Sequence, residues 1–563
     1  MTSPIFIALR RLRPPLLVLI AVYAIGIVGF LLIPGQDADG QTWRMSIFHA
    51  FYFITYTAST IGFGEIPYAF TDAQRMWATV VIFMSVLSWT FAIGSLLALA
   101  QDRSFREALR RARFAAEVRG RAEPFVIVCG YGETGGLICA ALDRSGTPFV
   151  VVERDEARVA EVDLHGFTAT TPALTADASQ PENLLLAGLQ HPRCRGVLAV
   201  TDDDQANLAV AIAVRLLNPR IPVLARARDE EVAANMASFH TDHVINPFNV
   251  FGEYLSLLLR APRVYALLDR LIGSAASPET TDRLPPRGHW VVAGYGRFGR
   301  EVVECFDREG LDITIIDPNP PAELERPLVR GTGTNEGPLR AAGIEHAVGI
   351  VAGTDNDVNN LSIAVTARAI RPDLYVILRQ NHTANGALFH AYGADYTVVS
   401  RAIVAEHCIA LVRTPLLAPF IARVTHGDEA VAEPLLARIE ALIGSERITA
   451  WSVRLSAADA HAVHRTLILG EATVTVDDLL RDPRDRSRAL HAVPLLLARG
   501  DAITLAPPGT LALQAGDELL FAGSNAARER LRQALENENV RDYVLFGRDI
   551  PGGAIWQRLT RTA

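Results

Sequence analysis

Apolar positions are concentrated at the start of the chain. Pro14 to Pro34 runs almost uncharged for about 20 residues, long enough to cross a bilayer as a helix, and Met76 to Ala100 is a second such run. Between them, Ser46 to Thr57 is apolar and aromatic but only about 12 residues long, too short to cross. The pattern predicts span, re-entrant half-helix, span over residues 1–100. Irregular backbone after such a half-helix is tolerated at membrane depth only where protein or a water-filled cavity covers it. Residues 101–123 are charged and helix-prone (Phe105-Arg-Glu-Ala-Leu-Arg-Arg-Ala-Arg), which predicts a linker helix leading away from the membrane, with a basic face toward anionic lipid. Beyond it, β-rich apolar runs alternate with helix-like segments, the pattern of parallel α/β domains. After residue 415 the pattern turns helical and then strand-rich, with turn glycines that predict a small α+β domain.

Composition narrows the class. A chain of 563 residues has room for roughly three or four domains. Its net charge of −8 argues against a nucleic-acid partner, which calls for a basic footprint. Cys129, Cys139, Cys194, Cys305 and Cys408 lie far apart with no CxxC pair, fitting buried thiols in a reducing compartment. Arg10, Arg11 and Arg13 precede the first apolar run as in a signal peptide, but that run is too long and no small-x-small cleavage site follows before Gln36. Arg103, Arg106, Arg110, Arg111 and Arg113 follow the second run, whereas the intervening loop sets Arg44 and Arg75 against Asp37, Asp39, Glu65 and Asp72. The positive-inside rule then predicts a multi-pass protein of the cell (inner) membrane, with both ends of the pair and everything after residue 100 cytoplasmic.

Thr60-Ile61-Gly62-Phe63-Gly64-Glu65, between the half-helix and the second span, is where chemistry enters. Alternating glycines permit a backbone whose successive carbonyls point the same way. Several such strands around an axis make oxygen rings that replace the water shell of K+. A glycine-rich turn between buried helices is the competing reading of these six residues, and the flanking elements favour the pore. Only one span precedes the segment and no series of spaced arginines does, which excludes a voltage sensor.

The arrangement resembles the two-span pore of potassium channels, on Thr57 through Glu65 followed by Thr71 and Arg75. The family signature there is Thr-Val-Gly-Tyr-Gly. The resemblance implies a filter of Thr60, Ile61, Gly62, Phe63 and Gly64 in a homotetramer. K+ would lie at the carbonyls of Thr60, Ile61, Gly62 and Phe63. Phe63 stands where tyrosine is commoner, so a hydroxyl bond from that ring to the pore helix is absent. Tyr52 and Phe53 stand where many members carry tryptophan, and Glu65 replaces aspartate. The family's hinge glycine falls near Ser85, and Gly94 further along is expected at a close helix contact.

An internal repeat comes next. Phe125-Val-Ile-Val-Cys-Gly130-Tyr131-Gly132-Glu133-Thr134-Gly135 is matched by His289-Trp-Val-Val-Ala-Gly294-Tyr295-Gly296-Arg297-Phe298-Gly299. In each copy an acid, Glu153 (with Arg154 beside it) or Asp317, ends the next strand, 23 residues after the first glycine (130 to 153, 294 to 317). Strand, GxGxxG, helix and a distant acid together make a dinucleotide fingerprint: backbone N–H groups at the helix start take the pyrophosphate and the acid takes ribose hydroxyls. The repeat continues through Thr201-Asp202 to Asn207 and Thr354-Asp355 to Asn360, while Asp177 maps onto Thr332. Asp202-Asp203-Asp204 and His240-Thr-Asp242-His243 also invite a metal reading, though a solvated acidic or polar loop is the simpler one.

These repeats resemble RCK (TrkA-N) domains over about 124–260 and 288–410, and Gln514 through Gly523 resembles the TrkA-C module. The resemblance implies NAD(H) or an adenine nucleotide as regulatory ligand at the glycine loops, and Ca2+ at nearby carboxylates in some members. The expected fold is a membrane α-helical pore of two spans plus a re-entrant pore helix, then two α/β Rossmann-like RCK domains and a small α+β C-terminal domain. The expected boundaries are 1–100 pore, 101–123 linker, 124–272 first RCK domain, 273–287 linker, 288–414 second RCK domain and 415–563 C-terminal region. A ligand-gated potassium channel is the leading function. Its rivals are an RCK regulatory subunit or transporter component, which would need more spans, and a membrane-anchored NAD-dependent enzyme, for which no catalytic acid or nucleophile stands out.

Overall fold

The computed structural model describes residues 4–65, 67–239, 241–272, 283–321, 325–425, 429–444 and 448–548. His240, residues 273–282 of the expected linker, and 549–563 of the expected C-terminal region lie outside the described residues. The chain divides into two compact units, Met1–Arg121 and Ala122–Ala563.

In the first unit, α1 (Pro4–Leu32), α2 (Ile47–Ala58) and α3 (Asp72–Gln101) form span, half-helix and span. Ala8–Leu32 and Asp72–Gln101 are long and apolar enough to cross a membrane. The 12 residues of α2 rise only about 18 Å, roughly half a bilayer core. Each start is capped: Ser46 accepts from the His49 N–H, and Thr71 with Gln74 forms a capping box. The spans run antiparallel. Arg11 at the start of α1 pairs with Asp102 beyond the end of α3 at 2.7 Å, so the arginine-bearing ends share a side. They approach closely where the Trp77 indole lies over Gly29 and its Nε1 donates to the Gly26 carbonyl at 3.2 Å. A Cβ on Gly29 would stand 2.0 Å from that ring. Gly26 and Gly29 thus make the small-residue contact expected of Gly94, where a Cβ would meet nothing within 4 Å in the single chain. The expected link 101–123 is helical: Asp102 caps α4 (Arg103–Arg119), which clusters with the first unit.

The second unit holds two six-stranded parallel sheets of identical topology. The first uses β1 (Phe125–Cys129), β2 (Phe149–Glu153), β3 (Ala173–Thr175), β4 (Cys194–Ala199), β5 (Val223–Arg226) and β6 (His243–Ile245), in spatial order β3-β2-β1-β4-β5-β6. The second repeats that order with β7 (His289–Ala293), β8 (Asp312–Asp317), β9 (Leu328–Arg330), β10 (Gly349–Ala352), β11 (Tyr375–Gln380) and β12 (Tyr396–Val399). Every residue of β1 and β2 is buried, as strands covered on both faces require.

Helix α5 (Glu133–Arg144) follows β1, and α6 (Glu156–His165) follows β2. The copies exchange helices. From the first copy, α7 (Pro247–Arg260) packs on α8 (Arg297–Arg308), the helix after β7, with Phe251 stacked on Phe298 at 5.2 Å. From the second, α9 (Ser400–Arg413) packs on α5, where Val404, Ala405 and Cys408 share a core with Ile138. The C-terminal region adds a four-stranded antiparallel sheet of Thr449–Arg454, Glu518–Gly523, Ala492–Arg499 and Ala502–Leu505.

Candidate functional site

The segment after α2 carries the backbone its sequence requires. Thr60, Gly62 and Gly64 have φ of 64°, 68° and 100°, alternating with Ile61 and Phe63. Left-handed residues at every second position turn successive carbonyls to one side. For β-branched Thr60 that conformation costs about 1–2 kcal/mol, the kind of strain stored at functional sites. The brace is local. Tyr56 near the end of α2 donates its hydroxyl to the Gly64 carbonyl, and its own carbonyl accepts from Ile61 N–H at 2.9 Å. The Phe63 ring stacks on Tyr52 at 6.3 Å and meets Tyr56 edge-on at 5.6 Å. A hydroxyl bond between this segment and α2, which Phe63 cannot make, is thus supplied from the other side by Tyr56. Glu65 accepts from Phe70 N–H at 3.1 Å and pairs with Arg75 Nε at 3.0 Å, pinning the loop that leads into α3. Ile61 and Phe63 stay 60 % and 64 % exposed in the single chain.

The first glycine loop opens on a cavity of about 470 Å3 lined by Gly130, Gly132, Arg154, Arg158, Asp177 and Asp202, among others. Gly130 has φ 99°, and a Cβ there would come within 2.9 Å of the Thr201 backbone. Gly135 lies so near Gly130 that its Cβ would be 2.0 Å from that carbonyl oxygen. Gly132 is different: its φ is −75°, and a Cβ would meet only the Arg158 guanidinium at 3.0 Å and Asp202 at 3.5 Å. Gly132 caps α5 without a side-chain bond, so the helix start presents free N–H groups. Thr134 Oγ1, buried at the same turn, has no hydrogen-bond partner among the described residues. Glu153 accepts from Tyr131 N–H at 2.6 Å and Asp155 N–H at 2.9 Å, which holds its carboxylate at the cavity wall with lone pairs to spare. Backbone approach, uncapped N–H groups, a guanidinium and a ribose-type acid fit an adenine nucleotide.

The second loop repeats the frame with altered chemistry. Gly294 has φ 96°, and a Cβ on Gly299 would stand 1.8 Å from the Gly294 oxygen. Asp317 accepts from Tyr295 N–H at 2.7 Å and Asn319 N–H at 2.7 Å, matching Glu153. Among the described residues no helix follows β8, so nothing there corresponds to Arg158, and Arg297 takes the place of Glu133. Phe298 turns into the core against Phe251 rather than toward the loop.

Residues 17–102 match the ion-channel domain family, and 126–247 and 290–400 each match the TrkA-N domain family. The chain joins an ion-channel domain to two TrkA-N domains. It is 22 % identical over 274 residues to potassium channel protein 1 of Methanocaldococcus jannaschii, covering 48 % of this chain and 77 % of that one. It is 21 % identical to probable potassium channel protein 2 of the same organism, covering 40 % and 64 %. An uncharacterized protein of Methanothermus fervidus is 25 % identical over 40 % of this chain, which spans only 34 % of that relative. Among solved structures, the GsuK channel bound to NAD overlaps 94 % of this chain and 99 % of its own, at TM-score 0.47 and 16 % identity.

The structure of the TrkA-N domains gives several side chains singled out by sequence partners within the protein. Asp202 and Asp355 sit at the ends of β4 and β10, ion-paired with the nearly buried Arg226 (3.0 Å) and Arg379 (2.6 Å). Burial pulls both guanidinium pKa values down, while the paired aspartate pulls each the other way. Asp203 caps the following helix and Asp204 accepts from Arg228 and Asp229 N–H, so the acidic run divides among separate partners. Among the described residues no group of three or more His, Cys, Asp or Glu side chains converges as a metal site would require of side chains alone. Thr201 and Thr354 are locked by Asn207 and Asn360, fully buried, each of which accepts from a threonine N–H and donates to the next strand's carbonyl. Glu133 leaves its own loop for the second domain, pairing with Arg401 of α9 and lying 3.4 Å from His382 Nδ1. Burial raises its pKa, but Arg401 and the bonds from His382 and Thr383 outweigh that and hold it below the ordinary value. Sequence reading passed over Arg158, His382 and Arg401, since no spacing rule ties them to a glycine loop.

Proposed function

We propose that the protein is a ligand-gated potassium channel, a homotetramer whose TrkA-N domains bind NAD(H) or an adenine nucleotide and bias the pore. The left-handed alternation at Thr60, Gly62 and Gly64, behind a half-membrane helix and between two spans, carries this reading. Similarity to channel proteins named for potassium supports K+ as the ion. One chain offers a single strand of carbonyls, and an ion-binding ring needs several copies. Exposed Ile61 and Phe63 in the pore unit suit burial between copies, as do Val358 (72 %) and Leu388 (59 %) on the second TrkA-N domain. The arginines at the cytoplasmic ends orient the protein in the cell membrane with its TrkA-N domains inside.

The first TrkA-N domain is the stronger nucleotide site. Arg158 and the α5 N–H groups take phosphate, and Glu153 takes the ribose. Binding shifts the pore only by the ligand's preference for one conformation, about 1–3 kcal/mol per coupled site. The covalent route to the pore is α4, which follows α3 after one residue. Planar-bilayer recording of the purified protein, with K+ on one side and Na+ on the other, tests the reading. A reversal potential far from zero and a current changed by NAD(H) or ADP are expected. Reversal near zero, or no current with any nucleotide, would refute it.

A further inference from the structure

A second cavity of about 470 Å3 lies in the C-terminal region, away from both glycine loops. Four arginines line it: Arg438 on the helix Glu429–Ile443, and Arg481, Arg486 and Arg488 on the hairpin Arg481–Ala489. Two of them are neutralised locally, Arg481 by Asp478 at 2.9 Å and Arg488 by Asp485 at 3.2 Å.

The other two are not. Arg486 bonds only neutral groups, the carbonyls of Val544 and Leu545, each at 3.0 Å, in the last turn of Glu538–Phe546. Arg438 is exposed and has no ion-pair or hydrogen-bond partner among the described residues. One carboxylate, Asp477, lines the cavity, but it packs against Gly509, where a Cβ would be 2.0 Å from its Oδ1. The remaining wall is apolar, formed by Leu442, Leu480 and Leu490.

Like charges gathered on a concave surface repel one another, and an anion set between them relieves that repulsion. Guanidinium groups bind phosphate bidentately, and an apolar floor rewards a ligand with a hydrophobic body. We propose that this cavity is an anion site of the C-terminal region, taking a phosphate monoester with an aromatic or aliphatic body. Arg438 holds the phosphate with its unengaged fork, Arg486 adds its charge while its Nε and Nη2 stay on the Val544 and Leu545 carbonyls, and half-buried Leu442 meets the body. The site is independent of the glycine loops and of the proposed channel function.

Isothermal titration of the full-length protein in detergent, with phenyl phosphate as probe and inorganic phosphate as reference, tests it. Phenyl phosphate is expected to bind more tightly than inorganic phosphate, and Arg438→Ala to weaken it about tenfold or more. Arg438→Ala is expected to melt like the parent, because Arg438 is exposed and no partner among the described residues is lost. Arg486→Lys, which keeps the charge but gives up the paired bonds to the Val544 and Leu545 carbonyls, is expected to weaken binding by less than Arg438→Ala does. The double variant Gly132→Asp/Gly296→Asp is expected to bind the probe normally. The proposal is overturned if Arg438→Ala binds normally, or if the glycine-loop double variant loses binding. Equal affinity for the two phosphates overturns the apolar-body assignment.

Discussion

The glycines of the first loop separate into those that fold the domain and one that serves the ligand, which makes a discriminating mutational series. At Gly130, alanine is forced to φ 99° with its Cβ within 2.9 Å of the Thr201 backbone. The left-handed conformation alone costs about 1–2 kcal/mol, and the clash adds to it. At Gly135 the Cβ stands 2.0 Å from the Gly130 oxygen. Helix and strand must then separate, at a cost on the order of 3 kcal/mol or more. At Gly132 the backbone is ordinary and the near neighbours are two side-chain ends, the Arg158 guanidinium at 3.0 Å and the Asp202 carboxylate at 3.5 Å. Gly132→Ala is therefore expected to cost under about 1 kcal/mol in stability. Gly132→Asp places a carboxylate beside Arg158, where a phosphate would lie. It forfeits one or two charge-assisted bonds of about 1.5–3 kcal/mol each, a loss of nucleotide affinity of at least about tenfold. The assay pairs thermal unfolding of the full-length protein in detergent with titration of NAD(H) and ADP. Gly130→Ala and Gly135→Ala should melt several degrees early, while Gly132→Asp should melt normally and bind poorly. If Gly132→Asp binds as well as the parent while the second domain's loop is disabled by Gly296→Asp, phosphate does not lie at the start of α5 and the site is misassigned.

Two further outcomes rest on single bonds. Tyr56→Phe removes the hydroxyl that ties the pore helix to the Gly64 carbonyl, a loss of about 1 kcal/mol that should appear as shorter open times or a Na+ leak in bilayer recordings. Unchanged permeation would show that ring packing alone holds the filter. Glu133→Gln breaks the pair with Arg401 between the TrkA-N domains, both partners being part-exposed, and should cost about 0.5–1 kcal/mol at pH 7. Because the Glu133 pKa is held below its ordinary 4.5, this contribution is full above that value and fades as pH falls through the folded-state value. Parent and variant melting temperatures should differ at pH 7, with the difference shrinking as pH falls below 4.5, and a difference that grows or stays constant as the carboxylate titrates would contradict the pairing.

Much of this protein is written in local pattern. Spans, half-helix and the two βαβ starts each bury a face of their own choosing, so hydrophobic length and period reveal them before any contact is known. The glycines declare themselves for a related reason. Gly130, Gly135, Gly294 and Gly299 sit where a Cβ meets backbone of the same short motif, a local constraint that the motif encodes. The alternation of φ at Thr60, Gly62 and Gly64 was legible on the same ground, since it is a property of consecutive residues.

What sequence left open depends on residues far apart in the chain. Phe298 looks like part of a cofactor loop until α7, some 40 residues upstream, buries it against Phe251. Glu133 looks like a phosphate-loop residue until Arg401, in the other domain, claims it. Arg158 comes to the first glycine loop only because α6 folds back over Gly132. Gly94 and Gly29 are equivalent by composition, and only the path of Trp77 decides which one marks the close approach. Sequence by itself determined the elements, the repeat and the alternating backbone of residues 60–64, because short-range sterics and burial period set them. Tertiary structure decided which side chains face a ligand and which face each other. Charge pairing and packing across hundreds of residues leave no periodic trace in the chain.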